Sequence, residues 1–149
     1  MSCCRDNMYI PTKLSGHAAV QPSRAYEFDA GADLVYSGEE SVSIGPGERK
    51  LLSTGVSVAI PEGFVGLIWP RSGNAVKKGF DTMAGVIDSQ YRGEIKVLII
   101  NHDTEVQTVN CGDKIAQLIV QKCYNFPFVA VNELPESRRG ESGFGSSGA

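Results

Sequence analysis

Short apolar runs broken by turn residues recur along the chain. Residues 53–60 alternate through Val56, Val58 and Ile60 and stop at Pro61-Glu62-Gly63, the pattern of a half-buried strand closed by a turn. Residues 64–69 form a second run, stopped by Pro70, and residues 41–44 end at Gly45-Pro46-Gly47. Residues 95–100 and 115–120 are β-branched runs too short for good helices, the second opened by Gly112-Asp113. Residues 73–78 alone suit a short helical turn. Strands at this spacing, with turns between them, predict an all-β barrel or sandwich.

The two ends read differently. Residues 1–24 are mixed and polar, an N-terminal segment expected to be partly ordered. A β domain is expected over residues 25–135. Residues 136–149 are rich in Gly and Ser, carry Arg138 and Arg139 and hold one aromatic, Phe144; they cannot pack a core and read as a flexible arm.

Composition narrows the function classes. A chain of 149 residues, 42% hydrophobic and 21% charged, is of ordinary single-domain size and make-up. Its net charge of −3 argues against gripping nucleic acid by the backbone, though not against a local cationic pocket. No apolar stretch approaches a membrane span, and the first residues lack the apolar core of a secretory signal. Cys3, Cys4, Cys111 and Cys123 show no C-x-x-C spacing, which speaks against zinc and for free thiols in a reducing compartment. An intracellular protein, cytoplasmic or nuclear and not secreted, is expected.

Three segments carry candidate chemistry. In the tail, glycines let backbone N–H groups approach a phosphate, Ser146 and Ser147 add hydroxyls, Arg139 adds a planar fork, and Phe144 offers a stacking face. At Pro70-Arg71-Ser72-Gly73 a strand ends and a helical turn opens, aiming N–H groups and a cation at one point; a solvent-facing turn arginine is the plainer alternative. Residues 85–94 read as a hairpin with Asp88 at the end of one apolar arm, where a carboxylate held partly desolvated could act as a general base; a turn aspartate bonding its own backbone is the plainer alternative. Tyr91 reads as a surface ring or a platform for a sugar.

Taken in order, Ala30-Gly31-Ala32-Asp33-Leu34, Pro70-Arg71-Ser72-Gly73, Gly85-Val86-Ile87-Asp88 through Tyr91-Arg92-Gly93, Gly112-Asp113-Lys114-Ile115-Ala116-Gln117-Leu118-Ile119, and Arg139-Gly140 through Phe144-Gly145-Ser146-Ser147-Gly148 resemble the five motifs of the trimeric deoxyuridine triphosphatase (dUTPase) family. The resemblance runs from about residue 30 to the end. It implies a jelly-roll-like β subunit, a homotrimer whose sites are shared between subunits, and hydrolysis of dUTP to dUMP and pyrophosphate with Mg²⁺, a reaction that keeps uracil out of DNA.

Residue by residue, it implies that Asp88 activates the attacking water, Tyr91 packs under the deoxyribose, and Gly85, Val86 and Ile87 read the uracil edge, with Lys96 completing the reading through its main chain. It implies phosphate contacts from Arg71, Ser72, Gly73 and Gln117. The tail would clamp the γ-phosphate with Arg139, Gly145, Ser146 and Ser147 and stack Phe144 on the base. Asp33 would act through water on the metal–phosphate cluster or hold the site structurally. Ala32 and Asn74 depart from the family's usual aromatic and leucine, and Glu141 adds an acid to the clamp. Two other readings share parts of this pattern: a dCTP deaminase of the same fold, for which Glu94 is the available acid, and a nucleotide-switched protein-binding module.

Overall fold

The computed structural model describes residues 9–144. Eleven elements follow in order: β1 (Thr12–Leu14), β2 (Gly31–Val35), β3 (Val42–Ile44), β4 (Arg49–Val58), β5 (Phe64–Trp69), α1 (Ser72–Lys78), β6 (Phe80–Met83), β7 (Val86–Ile87), β8 (Ile95–Asn101), β9 (Gln107–Val109) and β10 (Lys114–Lys122). The strands form two four-stranded sheets, β1-β4-β8-β6 and β2-β10-β5-β7, and a ribbon of β3 with β9. The expected all-β sandwich is the architecture found, and no helix among the described residues is long and apolar enough to cross a membrane.

The core lies between the two larger sheets. β8 sends Ile95, Val97 and Ile99 inward, all fully buried, and Leu34, Ile68 and Leu118 face them from the second sheet. Each such side chain contributes about 1.5–3 kcal/mol by leaving water. Ile44, Val109 and Ile115 belong to the same buried cluster. Two buried polar residues are satisfied within it. Thr54 Oγ1 donates to the Ile95 carbonyl, and Asn101 Nδ2 donates to the carbonyls of Ile44 and Glu105, both at 2.8 Å, while its Oδ1 accepts from the Asp103 N–H. Asn101 thereby pins β3 and the turn after β8 to one point; losing it would strand buried partners at about 1–3 kcal/mol.

Two strands contain register slips that alternation alone does not reveal. β4 slips against β8 between Ser53 and Val56, and β10 slips against β2 between Lys114 and Ala116. An extra residue on one strand resets which face the following side chains take.

Several boundaries differ from the sequence reading. β4 begins at Arg49, because its exposed first residues pair with Ile99 and Ile100 and hide their strand character. β6 and β9 were not anticipated: each is four residues or fewer and buries one side chain. The hairpin expected over residues 85–94 is not a paired ladder. β7 pairs with β5 in one sheet while β8 pairs with β4 and β6 in the other. The chain passes from β6 into the other sheet at Ala84 and Gly85, with φ of 62° and 127°, and returns to β8 through residues 88–94. A Cβ at Gly85 would meet the Ile68 carbonyl oxygen at 2.9 Å, so glycine answers both the backbone conformation and the close approach.

The paired structure reaches ahead of residue 25, since β1 pairs with β4 and Ser23 bridges to Asp33. After β10 the chain leaves the sheets. Tyr124, Phe126, Phe128, Val131 and Leu134 are all exposed, Tyr124 and Phe126 stacked on each other.

Candidate functional site

The candidate residues outside the tail gather in two separate hollows. The first, about 600 Å³, straddles the two sheets. Leu51, Leu98 and Met83 form one apolar row, because β4, β8 and β6 pair Leu51 with Leu98 and Leu98 with Met83. Ile68, Val86 and Ile87 supply the opposite wall, and Gly85, Asp88, Tyr91 and Lys96 line the remainder. An apolar slot with a few polar groups at its rim suits a flat ring carrying a polar edge.

Asp88 follows the last residue of β7 and sits on a turn closed by the Tyr91 N–H donating to the Asp88 carbonyl at 3.1 Å. Its carboxylate has no hydrogen-bond partner among the described residues, which sets aside the turn-aspartate alternative. It is, however, exposed. The expected partial desolvation is not found among the described residues of this chain, because β7 is two residues long and Asp88 lies beyond its end. Tyr91 is 44% exposed, and its hydroxyl donates to the Glu94 carbonyl at 2.9 Å. That bond sets the ring across the arm beside the hollow. Gly93 permits it, since a Cβ there would collide with the Tyr91 phenol.

Glu94 is already committed. Its Oε1 accepts from the Gly55 N–H at 2.9 Å, at the slip in β4. The acid that the deaminase reading needs is thus spent on holding β4 against the start of β8.

The second hollow, about 310 Å³, lies on the outer face of the other sheet and includes Asp33, Arg71, Ser72, Gly73 and Gln117. No residue lines both hollows. Gln117 stands opposite Asp33 on the β10–β2 ladder, so the two side chains share a face. Gly31 leaves the space in which Gln117 lies, and Gln117 Nε2 donates to the Pro70 carbonyl at 2.9 Å, tying β10 to the approach to α1. Arg71 is the N-cap of α1 but gives no side-chain cap. Ser72 and Gly73 in the first turn therefore present N–H groups outward.

Asp33 is 12% exposed and meets two cations, Arg71 Nε on Oδ1 and Lys114 Nζ on Oδ2, each at 2.8 Å. Both carboxylate oxygens of Asp33 are thus engaged by side chains of this chain. Asn74, the departure from leucine, donates from Nδ2 to the Lys114 carbonyl at 2.8 Å, so it ties α1 to the start of β10. Lys114 was not singled out in the sequence; the signal was a cation directly after Gly112-Asp113 in the fourth motif. Among the described residues no three His, Cys, Asp or Glu side chains gather as a metal cage.

The described tail residues are not brought to either hollow in this chain. Arg139 Nε donates to the Ser142 carbonyl at 2.7 Å inside a local turn, and Phe144 is fully exposed. Gly145, Ser146 and Ser147 lie outside the described residues.

Comparison with known proteins gives one consistent result. A family model described as dUTPase matches residues 17–148. The deoxyuridine 5'-triphosphate nucleotidohydrolase of Nocardia farcinica is 50% identical over 142 residues, which cover 93% of this chain and 85% of that one. The protein of the same name from Mycolicibacterium gilvum is 50% identical over 135 residues, 85% of this chain and 86% of its own. Among solved structures, the Staphylococcus bacteriophage 80alpha dUTPase with dUpNHpp superposes with a TM-score of 0.84 at 31% identity, covering 95% of this chain and 99% of that one. A mutant dUTPase of S. aureus phage phi11, described with a structural Mg(II) ion, gives a TM-score of 0.77 at 28% identity over 87% of this chain and 100% of its own.

Proposed function

The chain belongs to the dUTPase family, its activity is hydrolysis of dUTP to dUMP and pyrophosphate, and we propose that the two hollows divide that work. The hollow beside Asp88 takes the uracil and deoxyribose. Gly85, Val86 and Ile87 present backbone groups to the base, with the Lys96 main chain opposite, and Tyr91 packs against the sugar. Asp88 holds the attacking water and accepts its proton as the water adds to the α-phosphate and pyrophosphate leaves. The observation that carries this role is its free carboxylate at the rim of an apolar slot.

The hollow beside Arg71 takes the triphosphate, with Ser72, Gly73 and Gln117 as further contacts. Mg²⁺ supplies charge neutralisation on the phosphates when bound. The donor set fits a metal carried by the substrate, because both Asp33 oxygens already meet cations and Mg²⁺ commonly keeps several waters beside phosphate ligands. The tail, with Arg139, Phe144, Gly145, Ser146 and Ser147, closes over base and γ-phosphate and excludes water.

The sites are completed in a homotrimer. Separate hollows on one subunit support this reading. So does the outer face of the second sheet, where Trp69 is 54% and Val86 65% exposed, and so does the apolar arm after Lys122, since monomers seldom expose contiguous apolar patches of this kind. The free thiols of Cys111 and Cys123 support a reducing compartment as the place of work.

Pyrophosphate release from dUTP, dCTP, dTTP and UTP tests the activity. Release from dUTP alone is expected; ammonia release from dCTP would restore the deaminase. The shared site is tested by co-refolding Asp88→Asn with a chain truncated before Arg139. If base and lid come from different subunits, about a quarter of sites regain both parts by random assembly. A sample that stays inactive, with subunit exchange verified by a tag, would remove the shared-site trimer.

A further inference from the structure

Lys114 and Gln117 stand three residues apart on β10, an odd separation that in a regular strand puts two side chains on opposite faces. The register slip between Lys114 and Ala116 changes that. Ile115 and Ala116 are both buried, so Lys114 and Gln117 emerge on the same outer face, Lys114 opposite Val35 and Gln117 opposite Asp33. The slip delivers the Lys114 ammonium to Oδ2 of Asp33 while Arg71 holds Oδ1.

A guanidinium beside a carboxylate frequently closes a two-bond fork. Arg71 does not. It gives Asp33 one bond, from Nε, and its two Nη groups have no hydrogen-bond partner among the described residues. The oxygen a second bond would use is taken by Lys114 at 2.8 Å. Arg71 is also the N-cap of α1, so its backbone is fixed at the mouth of the hollow, and Asn74 fixes the Lys114 end by its bond to the Lys114 carbonyl.

We infer that Lys114 is a positioning residue for the triphosphate: by occupying Oδ2 of Asp33 it keeps Arg71 held by one edge, with both Nη groups free to take phosphate oxygens. It also gives Asp33 two cationic partners in place of one, so the carboxylate does not rest on Arg71 alone. Without Lys114, Arg71 would turn its fork onto Asp33 and the pair would be neutral. The inference rests on the reading of Arg71 as a phosphate contact.

The test measures binding of a non-hydrolysable imido analogue of dUTP, with Mg²⁺, and of deoxyuridine, which has no phosphate. Wild type, Lys114→Met, Lys114→Arg and Arg71→Gln are compared, with thermal unfolding and size exclusion to establish fold and assembly. Lys114→Met should weaken the analogue about tenfold, leave deoxyuridine within about twofold, and be rescued by Lys114→Arg. Should Lys114→Met fail to assemble, Lys114→Ala, which likewise leaves Oδ2 without a donor, serves the same comparison. Unchanged analogue binding in the Lys114 variants alongside a loss in Arg71→Gln would overturn the role of Lys114 and leave that of Arg71 standing. Equal losses for analogue and deoxyuridine, or no rescue by arginine, would reduce Lys114 to a structural part and overturn the inference. An Arg71→Gln protein that binds the analogue normally would instead overturn the phosphate reading beneath it.

Discussion

Beside the base hollow, Asp88 lies past the end of a two-residue strand, exposed and with its carboxylate unbonded; beside the phosphate hollow, Asp33 lies in mid-strand, 12% exposed, with a cation on each oxygen. The same side chain thus serves opposite ends. Asp88, proposed above as the base, is left without a hydrogen-bond partner among the described residues. An acid that must orient cations is saturated with them, on a ladder that fixes its direction. The ion pairs around Asp33 are formed within this chain, whereas nothing among the described residues covers Asp88.

Substitutions can press on each half separately. Asp88→Asn should cost about 10²–10⁴-fold in kcat, while affinity for the imido analogue stays near that of wild type, because the phosphate half is untouched; near-normal turnover would remove Asp88 from the chemistry. Tyr91→Ala should narrow the preference for dUTP over UTP by about tenfold, read as a ratio of kcat/KM values, with little change in thermal stability because the ring is largely outside the core. An unchanged ratio would return Tyr91 to a surface ring.

On the other half, Asn74→Ala removes the bond to the Lys114 carbonyl and should lower stability by at most about 1 kcal/mol, with KM rising more than kcat falls. A change confined to kcat would separate Asn74 from phosphate binding. Glu48 lies outside both hollows and serves as the baseline. Lys50, and then the Gly45 N–H, hold its carboxyl below the ordinary value of 4.5. A depressed folded value means that this contribution is present above pH 4.5 and fades as pH falls through the lowered one. Glu48→Gln should therefore reduce Tm slightly at neutral pH and not at all in acid, with activity unaltered; a deficit that persisted in acid would contradict the assignment.

The sequence made some of this legible and hid the rest for physical reasons. Pro70 ends β5 and α1 follows from Ser72 to Lys78, because a proline and a short run of helix-compatible residues act locally. The slip in β10 was hidden inside the apolar run of residues 115–120, where two successive buried side chains look like any buried strand. Residues 85–94 looked like a hairpin because alternation says that a segment is extended and not which sheet it joins. Thr54 and Asn101 are polar residues whose burial depends on partners 41 and 57 positions away. Asp88, Arg71 and Tyr91 stand out through their motifs and line the two hollows. The pairing of Asp33 with Lys114 does not stand out, since it requires the fold to bring β2 beside β10.

The base hollow has one wall on each layer of the sandwich, with the Ala84–Gly85 crossing between them. Its width is therefore not a local property of the residues that touch the base. It is set by the thickness of the hydrophobic filling, as the gap of a vice is set by its screw. Ile99 and Leu118 lie within that filling and outside the lining of the hollow, and their volume is part of what separates the walls. A substitution that changes core volume at these positions is expected to change the width of the hollow without touching its lining.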